Sequence, residues 1–176
     1  MRYAPLSLLL CLAWALPASA AQLDLSIEIP RLSVAQYHRP YVAAWIENDS
    51  RKVAANLLVW YQQDRPGESA NAEKGSKWLP DLRQWWRRSG RALSMPIDGV
   101  SAATRPAGKH SLSFRLGHGD LPALKPGQYK LRVEAAREEG GRELVDIPFT
   151  WPINATRTVK AQGNSELGAV SLTLAP

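Results

Sequence analysis

The sequence has 176 residues, 45% of them hydrophobic, with a single cysteine and a formal net charge of +6. A chain of this size can bury a core without covalent staples, and one cysteine excludes a disulfide framework, a thiol redox pair and a cysteine metal site. The basic excess suits anionic ligands or membrane surfaces, and no nucleic-acid recognition motif accompanies it, so nucleic acid is not expected as a partner.

Residues 1–20 read as a cleavable secretory signal peptide. Arg2 supplies the positive region, Leu6 to Leu16 the apolar core, and Pro17-Ala18-Ser19-Ala20 an Ala-x-Ala cleavage pattern. The apolar run is too short to span a bilayer. Cys11 follows Leu10 rather than the small residue that lipoprotein processing prefers, so no lipid anchor is expected, and the cysteine leaves with the signal. No second apolar stretch is long enough for a membrane helix. The mature chain, residues 21–176, is therefore expected to be a single soluble periplasmic domain without a stable membrane anchor. Any redox function in it needs a bound cofactor.

Leu23 to Ile29 alternates apolar and polar residues and predicts a half-buried strand that Pro30 ends. Tyr37-His38-Arg39-Pro40 reads as a loop, Tyr41 to Glu47 as a second strand, and Asn48-Asp49-Ser50 as a turn. Val53 to Tyr61 predicts a third strand, more buried because its apolar run is nearly continuous. Gln62 to Ser76 is polar and rich in small residues, a loop by composition. From Trp78 to Gly90 the period changes. Trp78, Leu82, Trp85 and Trp86 recur near a spacing of 3.6, Pro80 and Asp81 suit a first turn, Arg87 and Arg88 a last turn, and Gly90 a C-terminal cap. One inserted helix is expected over residues 79–89.

Lys109 to Arg115 alternates again, with His110, Leu112 and Phe114 on one face. A turn region covers Gly117 to Gly127. Gln128 to Ala135 is expected to turn Tyr129, Leu131, Val133 and Ala135 inward and Lys130, Arg132 and Glu134 outward. Glu138-Glu139-Gly140-Gly141 marks a hairpin whose partner strand is Arg142 to Trp151, and Leu167 to Leu174 is the last strand. About seven strands with one inserted helix predict a mainly all-β chain, an antiparallel immunoglobulin-like β-sandwich, with a barrel as the alternative. The cysteine pair of immunoglobulin domains is absent.

The stretch Asp98-Gly99-Val100-Ser101-Ala102-Ala103-Thr104 carries the chemistry. Gly99, Ala102 and Ala103 have almost no side chain, which allows another protein to approach the backbone closely. Pro106 biases Arg105 toward an extended conformation, so the stretch reads as an accessible loop presenting one threonine. As plain composition, Asp-Gly also opens ordinary β-turns. The stretch resembles the acceptor motif of ApbE-type periplasmic flavin transferases, matching it at Asp98, Gly99, Ser101, Ala103 and Thr104, with Ala102 where a glycine is common. That resemblance implies FMN joined to the Thr104 hydroxyl through a phosphoester, added by a transferase that uses FAD and Mg²⁺.

A wider resemblance rests on Glu28-Ile29-Pro30-Arg31-Leu32, Tyr37-His38-Arg39-Pro40-Tyr41-Val42-Ala43, Leu79-Pro80-Asp81-Leu82-Arg83-Gln84-Trp85-Trp86 and Glu134-Ala135-Ala136-Arg137-Glu138. These segments resemble a family of bacterial periplasmic proteins, domain of unknown function family 2271 (DUF2271), over nearly the whole mature chain. The family's usual neighbours are PepSY-type membrane proteins and flavin transferases. The resemblance thus implies extracytosolic electron transfer, connected with iron uptake, and these two proteins as partners.

Covalent FMN needs cations or backbone N–H groups for its phosphodiester and aromatic contact for its ring. Arg105 adjoins Thr104, and Arg87, Arg88 and Arg91 lie just upstream. Trp78, Trp85, Trp86, Trp45, Trp60, Tyr37 and Tyr61 are the aromatic candidates, with Trp85 and Trp86 singled out because neighbours cannot both face one core. His38, His110 and His118 show no metal-ligand spacing. No catalytic constellation and no metal site is expected, and the protein reads as an electron carrier rather than a stand-alone enzyme. The competing reading is a cofactor-free immunoglobulin-like binding or assembly module that uses its Trp/Arg-rich helix.

Overall fold

A computed structural model describes residues 21–63, 74–117 and 121–176; the signal-peptide reading of residues 1–20 and His118 lie outside the described residues. Nine strands run through the described chain: β1 (Gln22–Ile29), β2 (Tyr41–Asn48), β3 (Val53–Tyr61), β4 (Ser101–Ala103), β5 (Gly108–Arg115), β6 (Gly127–Ala136), β7 (Arg142–Trp151), β8 (Arg157–Gln162) and β9 (Ala169–Ala175). They form two sheets, β5-β1-β9-β8 and β4-β3-β2-β6-β7. The protein is an all-β sandwich. Every pairing is antiparallel except β3 with β4, which is parallel.

Alternation drives the packing of the two sheets. Leu23, Leu25, Ile27 and Ile29 of β1 are buried, and Leu131, Val133 and Ala135 of β6 meet them from the other sheet in one continuous core. The opposite faces of β2 and β3 are covered as well. Ala43, Trp45, Val59 and Tyr61 form a second cluster with Leu79, Leu82 and Trp85 from the segment between β3 and β4. The five-stranded sheet is thus buried on both sides at its centre, which is why β2 and β3 read as nearly continuous apolar runs.

That covering segment is not one helix. It runs as a 3₁₀ stretch (Gly75–Asp81), a short α-helix α1 (Arg83–Arg88) and a further 3₁₀ turn (Gly90–Ala92). Pro80 brings no N–H to the first stretch, and Leu82 leaves helical geometry at ψ 68°. The 3.6-residue register therefore does not carry across the break. The buried stripe is Leu79, Leu82 and Trp85, while Trp78 is 46% exposed and Trp86 half-buried. Each fully buried side chain of this kind contributes about 2 kcal/mol. Such burial, not helix propensity, holds so short a helix. Gly90 does not cap it in a left-handed conformation. A Cβ there would lie 2.6 Å from Trp85 Cζ3, so the glycine admits the indole ring.

Four further expectations are corrected. Ser101–Ala103 is an edge strand rather than loop, because its backbone finds the free edge of β3. Glu134, expected on the solvent side, is fully buried beneath the inserted segment. The β8 strand, with only Val159 and Ala161 as apolar residues, showed too little pattern to be read. Leu167 is buried but precedes the last strand, which begins at Ala169.

Candidate functional site

The approach to Thr104 is a tight, internally bonded turn. Asp98 Oδ1 accepts the Gly99 N–H at 3.0 Å, and Gly99 sits at φ 67°, where a side chain is disfavoured. The N–H groups of Val100 and Ser101 both donate to Ile97 O, at 3.2 and 2.9 Å, while Ser101 Oγ accepts the Ile97 N–H at 2.8 Å. Val59 then donates to Val100 O at 2.9 Å, and Gln63 Nε2 to Ala102 O at 3.3 Å. The parallel register Val59↔Ser101 to Tyr61↔Ala103 carries the chain to Thr104 at the end of an edge strand.

Thr104 lines a cavity of about 750 Å³. Its walls come from the loop before β2 (His38, Arg39), from Tyr41 and Gln62, from the inserted segment (Trp78, Asp81, Arg83), and from the β6–β7 hairpin. Two hairpin cations are already neutralised. Arg137 makes a two-pronged bond to the Glu166 carboxylate at 2.9 and 3.0 Å, which raises its pKa, and Arg142 Nη1 donates to Glu134 at 3.1 Å. Arg39 and Arg83 are exposed and make no side-chain hydrogen bond or ion pair among the described residues. Burial pushes the Tyr41 phenol up, so it stays a neutral donor, here to Gly75 O at 3.0 Å. His38 Nδ1 lies 3.3 Å from Glu138 Oε2 at the rim. The Trp78 ring lies 5.0 Å from the Lys77 ammonium.

A family model described as "Predicted periplasmic protein (DUF2271)" matches residues 22–169. The chain belongs to the DUF2271 family. No curated protein and no solved structure matches it. The family description makes this a periplasmic protein, and no helix among the described residues is long and apolar enough to cross a membrane.

In this DUF2271 protein the residues expected around Thr104 are only partly brought together. Ser101 and Ala103 lead directly into the threonine, and the Ser101 hydroxyl oxygen accepts the Ile97 N–H within the turn. Asp98 and Gly99 face a different cavity of about 260 Å³, beside Phe114 and Leu121. Arg105 lies over the Trp60 ring at 5.7 Å. Trp85 is removed as a ligand contact: it is 0% exposed, and its Nε1 donates to Asn56 Oδ1 at 2.9 Å. Trp86 tilts against Trp85 at 6.3 Å and does not line the Thr104 cavity. Trp45, Trp60 and Tyr61 are core residues.

Arg87 and Arg88 line a separate cavity, where Arg88 Nε lies 3.2 Å from Glu47 Oε1. They project from the far end of α1, a turn beyond Arg83, so they do not reach Thr104. Arg91 and Tyr37 do not line its cavity either. His110 packs edge-on against Trp60 at 5.6 Å. The free cations of the cavity, Arg39 and Arg83, were not identified from the sequence. The available signal was their place in two segments that carry the family resemblance, each beside residues that bury.

Proposed function

We propose that this protein is a periplasmic flavoprotein carrying FMN on Thr104 through a phosphoester, and that it relays electrons from a PepSY-type membrane reductase to an extracytosolic acceptor in iron uptake. The observation that carries the reading is the position of Thr104: an acceptor-type hydroxyl on the wall of a cavity with unpaired arginines and an exposed indole. The residues present fit the group. About 750 Å³ falls within the roughly 300–1,000 Å³ of small-molecule sites. A phosphodiester keeps one negative charge, and Arg39 and Arg83 are the cations free to hold it. Trp78 offers an apolar, electron-rich face to a flat ring.

The bound flavin would supply one- and two-electron transfer, which no side chain of this protein provides. The chain's own work is positional. Edge strand β4 presents the Thr104 hydroxyl, the arginines stabilise the phosphate charge, and Tyr41, its O–H donated to Gly75 O, forms a fixed part of the wall. In the modification the threonine oxygen forms the new P–O bond, its proton leaves, and AMP departs from FAD. That step belongs to the transferase.

The test is the intact mass of the protein isolated from the periplasm of a host expressing an ApbE-type transferase. An increment of FMN minus one water, mapped to the Thr104 peptide and absent in Thr104→Ala, is expected. An unmodified mass, with a known acceptor modified in the same cells, would overturn the reading and leave a cofactor-free binding module.

A further inference from the structure

A second cavity of about 530 Å³ opens at the other end of α1, between that helix, the β2–β3 turn and the outer face of β6. All its lining side chains are polar or charged. Five are cations (Arg51, Arg87, Arg88, Lys130, Arg132) against three carboxylates (Glu47, Asp49, Asp146), leaving positive charge in excess.

The cations divide into two sets. Arg88 and Arg132 are anchored from below. Glu47 is 3% exposed, takes the Trp45 indole N–H at 3.2 Å, and holds Arg132 Nη1 at 3.1 Å and Arg88 Nε within 3.2 Å. Arg132 is gripped again by Asp146 at 2.9 Å and lies 5.6 Å over the Trp45 ring. Arg51, Arg87 and Lys130 have no carboxylate partner among the described residues; Arg87 bonds only the Gln84 amide oxygen, at 2.9 Å. Rigid guanidinium groups form the floor and unpaired cations the rim.

The three carboxylates, Asp49 among them, offset only part of the charge of the five cations, and an excess of like charge is eased when an anion joins it. The absence of aromatic and aliphatic lining argues against a protein partner, whose binding energy concentrates on such anchors. We propose that this cavity binds a phosphate-type oxyanion of two or more negative charges, independently of any flavin on Thr104. Guanidinium forks match phosphate oxygens in pairs, and Lys130 adds a point charge. The same group could arrive as a free phosphate compound or as a lipid headgroup.

The probe is inorganic pyrophosphate, titrated calorimetrically into the mature protein at low salt. Saturable binding near one per chain is expected, weakened about tenfold or more in an Arg87→Ala/Lys130→Ala variant. Both side chains are exposed, so the fold should be unaffected, as circular dichroism would verify. An Arg157→Ala/Lys160→Ala variant removes equal charge from exposed positions on β8 in the other sheet and should bind like the parent. Equal weakening in both variants, or no saturable binding in the parent, overturns the proposal. Sedimentation with phosphatidylglycerol vesicles separates the sources. Vesicle binding that pyrophosphate displaces and Arg87→Ala/Lys130→Ala abolishes assigns a headgroup; pyrophosphate binding without vesicle binding assigns a free anion.

Discussion

Glu134 in β6 and Trp85 in α1 lie 49 positions apart, and the Glu134 carboxylate accepts the Trp85 backbone N–H at 2.8 Å. The same carboxylate takes the Gln84 N–H at 2.9 Å and Arg142 Nη1 at 3.1 Å. A fully buried acid of the sheet thus caps a helix that has no capping side chain of its own. Removing a buried ionic partner of this kind costs about 3 kcal/mol. Glu134→Ala should lower the urea midpoint accordingly and red-shift tryptophan emission as Trp85 loosens. Glu134→Gln, which keeps an acceptor oxygen, should fall between. An unchanged midpoint in Glu134→Ala would show that the buried carboxylate contributes nothing to folding.

Gly90 tests the same packing from the other side. Gly90→Ala places a methyl within 2.6 Å of the Trp85 ring, which cannot retreat because Asn56 holds its Nε1. Overpacking of about 1–3 kcal/mol is expected. Thermal unfolding checks it, and a variant as stable as the parent would mean that the indole repacks freely.

Glu143 makes a pH-dependent contribution. Burial alone would raise its pKa, but the N–H groups of Asn164, Leu167 and Ser165 and the Ser165 hydroxyl outweigh it and bring the carboxyl below its ordinary 4.5. A depressed native pKa stabilises above the unfolded value and loses that contribution as pH falls through the native one. Stability should therefore decline from about pH 4.5 downward. Glu143→Gln should show a shallower acid limb in denaturation midpoints against pH. Parallel curves for the two proteins would remove Glu143 from the acid response.

Asp98 is expected to act on modification through the turn it shapes. Its Oδ1 ties the Gly99 N–H, and it lines a different cavity from Thr104. With purified transferase and FAD, Asp98→Ala should incorporate FMN more slowly while Thr104 remains the modified residue by peptide mass. Incorporation at the parent rate would make the carboxylate dispensable.

Trp78 is the aromatic expected to meet the ring. In the flavinylated protein Trp78→Ala should raise flavin fluorescence, because a stacked indole quenches it, whereas Trp86→Ala should not, since Trp86 does not line the cavity. Equal fluorescence in Trp78→Ala and the parent would place the ring elsewhere.

The strands were legible where burial follows a period of two, or, in β2 and β3, where an apolar run is nearly continuous. The predicted bounds of β3 and β7 match the structure, and β1, β2, β5 and β6 extend only a residue or so beyond the predicted runs, because both patterns are local properties of the chain. The Asp98–Thr104 stretch could also be singled out in the sequence, through its resemblance to a flavin-transferase acceptor motif. What the sequence left undecided depends on a third layer. The segment from Gly75 to Ala92 folds over the outer face of the five-stranded sheet, and only that contact buries Glu134 and Trp85 while leaving Trp78 at the surface. The same layer, broken at Leu82, sends Arg83 toward Thr104 and Arg87 and Arg88 to a separate cavity. Periodicity reports which residues share a face, but not which distant element will cover that face. Seven of the nine strands of the described chain followed from the sequence, and β4, β8 and the company of Thr104 were decided by tertiary packing.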